Sequence, residues 1–432
     1  MKRKLKYFLL ILSIFYLLIY VCNFSTIFDE DYSLVMIHHS YFNIIKYTGL
    51  DVHPPLFYLV YKLFLSVTTF WITSLLIKIL FARIFSVIIS LITFCLLIKI
   101  VHICDVRINS VIEFIFFLLV PGVISFTYEF IKIRMYTLAA MFVIAEVYEL
   151  IRYSSNDKLF NLITATILAI LALYTNYYAG FISGLFLLLC LIKYLIESNK
   201  KYIDIFWSIL FMAISFIPWL PVLFHQFALQ SYHPLPPGVF KQWIATFCMI
   251  LLFVYPLVWS LRHLKARFNN IFLNTSIILF ILFIFMSIVS VIYRPVFQFR
   301  YFYPVFLIYG FLGINALYII IKLNNNNIKQ YFSYLIILIL SFVCVGAYVD
   351  QVKYFNMSAI PMVKSFYHWK INDKKEIYIK PVNNDDDGFD DEKVIYLNSI
   401  GKDAKSPNIK KGFTSNPSYK GMFKNIDDHL EN

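Results

Sequence analysis

Residues 7–31 read YFLLILSIFYLLIYVCNFSTIFDED, an apolar run from Tyr7 to Phe28 closed by three acids, Asp29, Glu30 and Asp31. About 20 apolar residues in a row is the length that crosses a bilayer as a helix. Lys2, Arg3, Lys4 and Lys6 precede the run. A basic start ahead of an apolar stretch also opens a signal peptide, but this stretch is too long for a signal core and no small-residue cleavage site follows it. It reads as an uncleaved first span with its basic end inside and its acids on the opposite face. Carboxylates at a membrane edge are costly to desolvate and usually serve a purpose.

The rest of the chain repeats the theme. Of 432 residues, 60% are hydrophobic and 15% charged, and mean hydropathy is +0.72. A soluble domain cannot hide that much apolar surface, so the composition points to a multi-span, all-α membrane protein. The 32 Tyr and 45 Phe are abundant at segment ends, where an interfacial belt forms. The six cysteines show no paired or CxxC spacing, which argues against a disulfide framework and a zinc site. From Asp350 onward 13 Lys balance 13 acids, so the net charge of +13 belongs to residues 1–349, mostly in short loops. That placement fits the positive-inside rule rather than nucleic-acid binding.

Basic connections recur at 2–6, 99–107, 152–158, 200–201, 262–267 and 322–329. If all are cytoplasmic, spans fall near 7–27, 80–100, 110–126, 135–151, 160–178, 181–196, 203–223, 243–261, 271–292, 302–321 and 331–349, about eleven helices with the N-terminus inside. The stretch from Pro54 to Thr73 is apolar enough to cross as well, but a span there would move every later basic loop outside. It is therefore expected to lie in the interface, with Lys62 snorkelling. Residues 1–349 then form the transmembrane domain, with 28–79 as a large first outer loop holding juxtamembrane helices. Residues 350–432 form an extracytoplasmic tail, a small α/β unit or poorly ordered, with short strands at 376–380 and 393–397. The residues from Asn383 to Gly388 start like a calcium loop, but Val394 stands where its bidentate Glu belongs, so a solvated acidic turn is the plainer reading.

The candidate chemistry gathers on the outer side. The three acids after the first span cap the following helix, or one of them is a general base that deprotonates an acceptor hydroxyl. In Asp51-Val-His53-Pro54-Pro55, the prolines suit a first helical turn and Asp51 suits a cap; His53 is either an interfacial histidine or a donor to a phosphate. Arg134 and Arg300 lie at outer span ends, where a guanidinium snorkels or grips a phosphate. The sequence Tyr174-Thr-Asn-Tyr-Tyr178 is an aromatic belt or part of a sugar or lipid cavity. The loop from Phe224 to Trp243 either closes over a substrate or only joins two spans.

Taken in order, the acid pair, Asp51-Val-His-Pro-Pro-Leu-Phe-Tyr58, Ala82-Arg-Ile-Phe-Ser86, Arg134-Met-Tyr136, Tyr174-Thr-Asn-Tyr-Tyr178 and Arg300-Tyr-Phe-Tyr-Pro304 resemble bacterial polyprenyl-phosphate-dependent glycosyltransferases of the glycosyltransferase C superfamily. The resemblance is to the branch that includes the protein O-mannosyltransferases and the aminoarabinose transferase of lipid A. The resemblance covers residues 1–320. It implies many transmembrane helices, juxtamembrane helices in the first outer loop, and inverting transfer of a sugar from a polyprenyl phosphate to a glycan, lipid or protein acceptor of the cell envelope. On it, Asp29 is the catalytic base and Glu30 its catalytic neighbour; His53, Arg134 and Arg300 bind the donor phosphate; Asp51, Tyr136, Tyr174, Asn176, Tyr177 and Tyr301 line the substrate cavity. The location implied is the inner (plasma) membrane. No metal ligand set is assigned and a divalent cation is left open: Lys132 stands where many relatives carry Glu, and Asn176 where they carry His. Both changes bear on metal binding and on substrate choice. A transporter or flippase of lipid-linked saccharide is the alternative, and it needs charged residues along a path through the spans or pseudo-symmetric halves.

Overall fold

Inside a bilayer every backbone N–H and C=O has to find its partner within the segment, which an α-helix achieves alone. The chain follows that rule. The computed structural model describes residues 30, 33–34, 36–37, 39–49, 53–72, 75–104, 132–229, 238–292, 297–323, 327–328, 330–331, 333–336, 339, 377–378 and 404–405. Among them, six helical stretches are long and apolar enough to cross a membrane: Ile77–Ile103, Tyr177–Ile196, Lys201–Gln226, Gln242–His263, Ala266–Ile292 and Arg300–Lys322. The protein is an α-helical membrane protein. The spans expected at 7–27 and 110–126 lie outside the described residues, as does most of 331–349.

After helical residues at 30, 33–34 and 36–37 stand two short helices, α1 (Tyr41–Thr48) and α2 (Leu56–Thr68). Pro54 and Pro55 lead directly into α2, where their missing N–H groups cost nothing. At 13 residues α2 is about 20 Å long, shorter than a hydrocarbon core. Its neighbourhood turns Leu63, Val67, Phe70 and Trp71 outward. Lys62 does not simply reach for water: its ammonium donates to the Ile37 carbonyl at 3.3 Å and lies over the Tyr41 ring. Partial burial lowers its pKa from the usual lysine value.

The 29-residue α3 (Leu75–Ile103) is the first long helix described. Then α4 (Met135–Asn156), α5 (Leu159–Thr175), α6 (Tyr177–Ile196) and α7 (Lys201–Phe216) follow with very short connections, and each packs on the next. Tight connections force alternate directions, so the chain returns to the same end at Arg134, Asn176 and the 3₁₀ turn Ile217–Trp219. The opposite end carries the basic connections, where Lys201 pairs with Asp157 and the Tyr153 hydroxyl donates to Asp204 at 2.7 Å.

Prolines divide two of the expected spans. Pro218 and Pro221 lie where α7 gives way to the 3₁₀ turn and α8 (Leu220–Leu229). The span expected at 243–261 is two helices, α9 (Gly238–Leu252) and α10 (Val254–His263). The ring of Pro256 clashes with a helical carbonyl four residues back, and that residue is Leu252, where α9 stops. Two further long helices follow, α11 (Ala266–Ile292) and α12 (Tyr303–Leu323), the second buried along most of its length. In the tail, β1 (Ile377–Tyr378) pairs in parallel with β2 (Ala404–Lys405). The first lies within the strand expected at 376–380. The strand expected at 393–397 and the acidic turn after Asn383 lie outside the described residues.

The α5–α6 hairpin is closed by one residue and one glycine. Asn176 is at once the C-cap of α5 and the N-cap of α6, its side chain accepting from the Tyr178 and Ala179 N–H groups at 3.0 and 3.2 Å. At Gly180 a Cβ would stand 2.7 Å from the Leu173 Cα, so the two helix backbones touch there. At Gly184, one turn on, a Cβ would meet nothing within 4 Å. Gly180→Ala is therefore expected to destabilise the protein by about 1–3 kcal/mol through overpacking against backbone, while Gly184→Ala is neutral. Thermal unfolding of both variants in lipid nanodiscs checks this, and equal midpoints refute it.

Candidate functional site

One end of the bundle collects most of the residues singled out from the sequence. Glu30 is completely buried there. Its two carboxylate oxygens receive Arg83 of α3, at 3.0 Å from Nη2 and 3.4 Å from Nε, and the Ile133 N–H at 3.1 Å. Arg83 is itself 2% exposed. A buried ion pair survives when both charges are matched and hydrogen-bonded, and this one is. Beside it Ser86 of α3 donates to the Lys132 carbonyl at 3.0 Å and bonds the Tyr61 hydroxyl at 2.6 Å.

Arg134 ends this connection and begins α4 in extended backbone geometry. It is buried, with Nη1 3.5 Å from the Ser33 hydroxyl. Two residues on, Tyr136 forms the floor for Arg300: the guanidinium carbon lies 5.4 Å from the Tyr136 ring centre and 5.9 Å from that of Tyr301. Gln298 accepts from Arg300 Nε. Tyr301 in turn stacks on Tyr178 of α6 at 4.1 Å and 22°. Tyr136, Arg300, Tyr301 and Tyr178 thus belong to one cluster, and Arg134, two residues before Tyr136, is tied to Ser33 instead. A guanidinium laid on aromatic faces is held there by cation–π attraction, and its planar fork of donors matches the geometry of phosphate.

Other candidates point elsewhere. Successive helical residues diverge by about 100°, so Tyr177 turns away from its neighbour Tyr178. The Tyr177 hydroxyl accepts from Trp219 Nε1 at 2.7 Å and donates to Gln226 at 2.8 Å, and Gln226 donates to the Thr48 carbonyl that ends α1. Tyr174 donates to the Ser215 carbonyl at 2.7 Å. Both tyrosines therefore weld α5 and α6 to the Ser215–Gln226 segment, and Asn176 is the hairpin cap. His53 is buried just ahead of α2. Asp29, Asp31 and Asp51 lie outside the described residues.

The roles of Arg83, Ser86, Tyr61, Tyr178 and Gln226 were not read from the sequence. Arg83 and Ser86 stood inside a noticed motif, and their spacing of three puts both on one helix face; that was the available signal. Gln226 gave none, because its partner Thr48 is 178 residues away. Among the described residues no three His, Cys, Asp or Glu side chains gather closely enough to hold a metal ion. No family model matches the chain, and no curated protein or solved structure shows significant similarity to it.

Asn176→Ala is expected to lower stability by about 1 kcal/mol by removing the cap, with Asn176→Asp or Asn176→Ser retaining most of it. Unfolding midpoints of the three variants decide the matter; an Ala variant equal to the other two would refute the capping role.

Proposed function

We propose that the protein is an inverting membrane glycosyltransferase that moves a sugar from a polyprenyl phosphate to a cell-envelope acceptor. The observation that carries the reading is the seat of Arg300 on the Tyr136 and Tyr301 rings, with the buried Arg134 two residues before Tyr136. An arginine on an aromatic shelf, with a second arginine two residues before one of the shelf tyrosines in sequence, suits a phosphate whose lipid tail stays in the bilayer. The ordered motifs point the same way.

In the reaction, the acceptor hydroxyl oxygen attacks the anomeric carbon as the bond to the donor phosphate breaks. Asp29 takes the hydroxyl proton, and the phosphate leaves with the bonding electrons, its new charge held by Arg134 and Arg300 and by a hydrogen bond from His53. Glu30 supports the base rather than replacing it. The cluster lies at the extracytoplasmic end, where nucleotide sugars are absent and a lipid-borne donor is the available one. Eleven spans, a cytoplasmic N-terminus and an extracytoplasmic tail complete the topology in the plasma membrane.

The transporter alternative asks for charged groups strung through the bundle. Among the described residues, the buried acids and arginines are Glu30, Arg83, Arg134 and Glu146. Three of them crowd one end, which favours a site over a path.

Asp29→Asn should reduce sugar transfer by at least about 10²-fold while leaving folding intact. Arg300→Ala should raise the KM for the polyprenyl-phosphate donor about 10- to 100-fold, the worth of one charge-assisted hydrogen bond. Both are measured with protein reconstituted in lipid vesicles; wild-type turnover by Asp29→Asn removes the proposed base. For the topology, protease added to intact spheroplasts should remove the tail after Asp350 and spare the N-terminus. Protection of the tail would reverse the assigned orientation.

A further inference from the structure

The Lys132–Ile133 peptide unit is gripped at both ends. Its carbonyl oxygen accepts from Ser86 at 3.0 Å, and its N–H donates to Glu30 at 3.1 Å. The same carbonyl also receives the Arg134 N–H at 2.8 Å, which closes a tight turn just before α4. A peptide plane held on its donor, on its acceptor and through the next residue's N–H has no rotational freedom left. Part of the grip comes from the long helix α3. Arg83 and Ser86 share one face of α3, and Tyr61 of α2 supports Ser86 from behind. A serine hydroxyl has a single proton. With Tyr61 donating to the Ser86 oxygen, that proton goes to Lys132, and the 3.3 Å approach to the Ala82 carbonyl is the weaker share.

We propose that Glu30, Arg83 and Ser86 form a buried latch that sets the Lys132–Ile133 peptide plane and so aims Arg134 and the first turn of α4 at the anion site. Glu30 is then a positioning residue. Its oxygens are taken up by Arg83 and the backbone, which leaves proton abstraction to another acid. The pair also has to be ionic. A neutral acceptor at position 30 would leave Arg83 charged inside the bundle, and a neutral residue at 83 would leave Glu30 so. The assignment of Arg134 to a donor phosphate rests on the function proposed above; the latch itself rests on the hydrogen bonds alone.

The two parts are tested separately. Hydrogen–deuterium exchange in lipid nanodiscs reads the latch directly. Glu30→Gln should speed exchange at residues 132–134 by about tenfold or more, as expected for loss of a charge-assisted hydrogen bond. Because a stranded Arg83 can unfold the bundle, Ser86→Ala, which alters no charge, serves as the second variant and should speed the same segment while the α5–α6 hairpin stays at wild-type rates. Unchanged exchange at 132–134 in folded Ser86→Ala overturns the latch. Titration with a sugar-free polyprenyl phosphate reads the link to Arg134. Ser86→Ala should weaken binding several-fold, and Ser86→Ala/Arg134→Ala should bind no more weakly than Arg134→Ala alone. Additive losses overturn the claim that the latch acts through Arg134. If the wild-type protein binds no polyprenyl phosphate, the proposed donor is wrong, and the exchange experiment still judges the latch.

Discussion

An arginine inside a 29-residue apolar helix is tolerable only with a carboxylate against it, and the Glu30–Arg83 pair is the constraint on which this end of the protein depends. Removing one partner of such a pair strands a buried charge, typically at a cost of about 3–5 kcal/mol. The pair joins the segment after the first apolar run to α3, and through the Ile133 N–H it joins both to the start of α4. Three pieces of chain separated by 53 and 103 residues are thereby held at one point. An apolar contact of similar size would hold them together without fixing their rotation, because dispersion has no direction.

Around that point the bundle is organised by short connections. The hairpin at Asn176 brings α5 and α6 into backbone contact at Gly180 and delivers Tyr178 to Tyr301. The hydrogen-bonded run from Trp219 through Tyr177 and Gln226 to Thr48 ties α1 to the far side of the same hairpin. The opposite end holds contacts of its own: Tyr153 donates to Asp204, Arg152 lies over the Tyr148 ring, and the Lys201 ammonium lies over the rings of Tyr153 and Tyr194. What sets the first end apart is the buried Glu30–Arg83 ion pair and its bond to the Ile133 N–H. Directional, buried polar contacts hold groups to within fractions of an ångström.

Much of this architecture was legible in the sequence. Runs of apolar length mark helices because lipid leaves the backbone no other way to satisfy itself, and most expected spans between 80 and 321 fall on observed helices. The span expected at 243–261 is present as Gln242–His263, with a local interruption at Phe253 because Pro256 cannot continue α9. The candidate residues stand in short motifs, but the motifs do not say which of them meet. Tyr174, Tyr177 and Asn176 are hairpin and seam residues, while Tyr178, one position further, reaches the arginine cluster. A run of tyrosines announces an aromatic site without saying which ring faces it, since that depends on where the partner helix lies.

By itself, then, the sequence determined that the chain is helical and membrane-embedded, where most of its helices run, and which short segments hold unusual charge. Those properties are local, set by hydropathy, proline and charge within a window of a few turns. Only the tertiary structure decided that Glu30 faces Arg83, that Arg300 lies on Tyr136 and Tyr301, and that Gln226 serves Thr48. Each of these pairs is far apart in the chain and depends on helix rotation and packing depth. A shift of one residue turns a helical side chain by about 100°, so no local pattern carries that information.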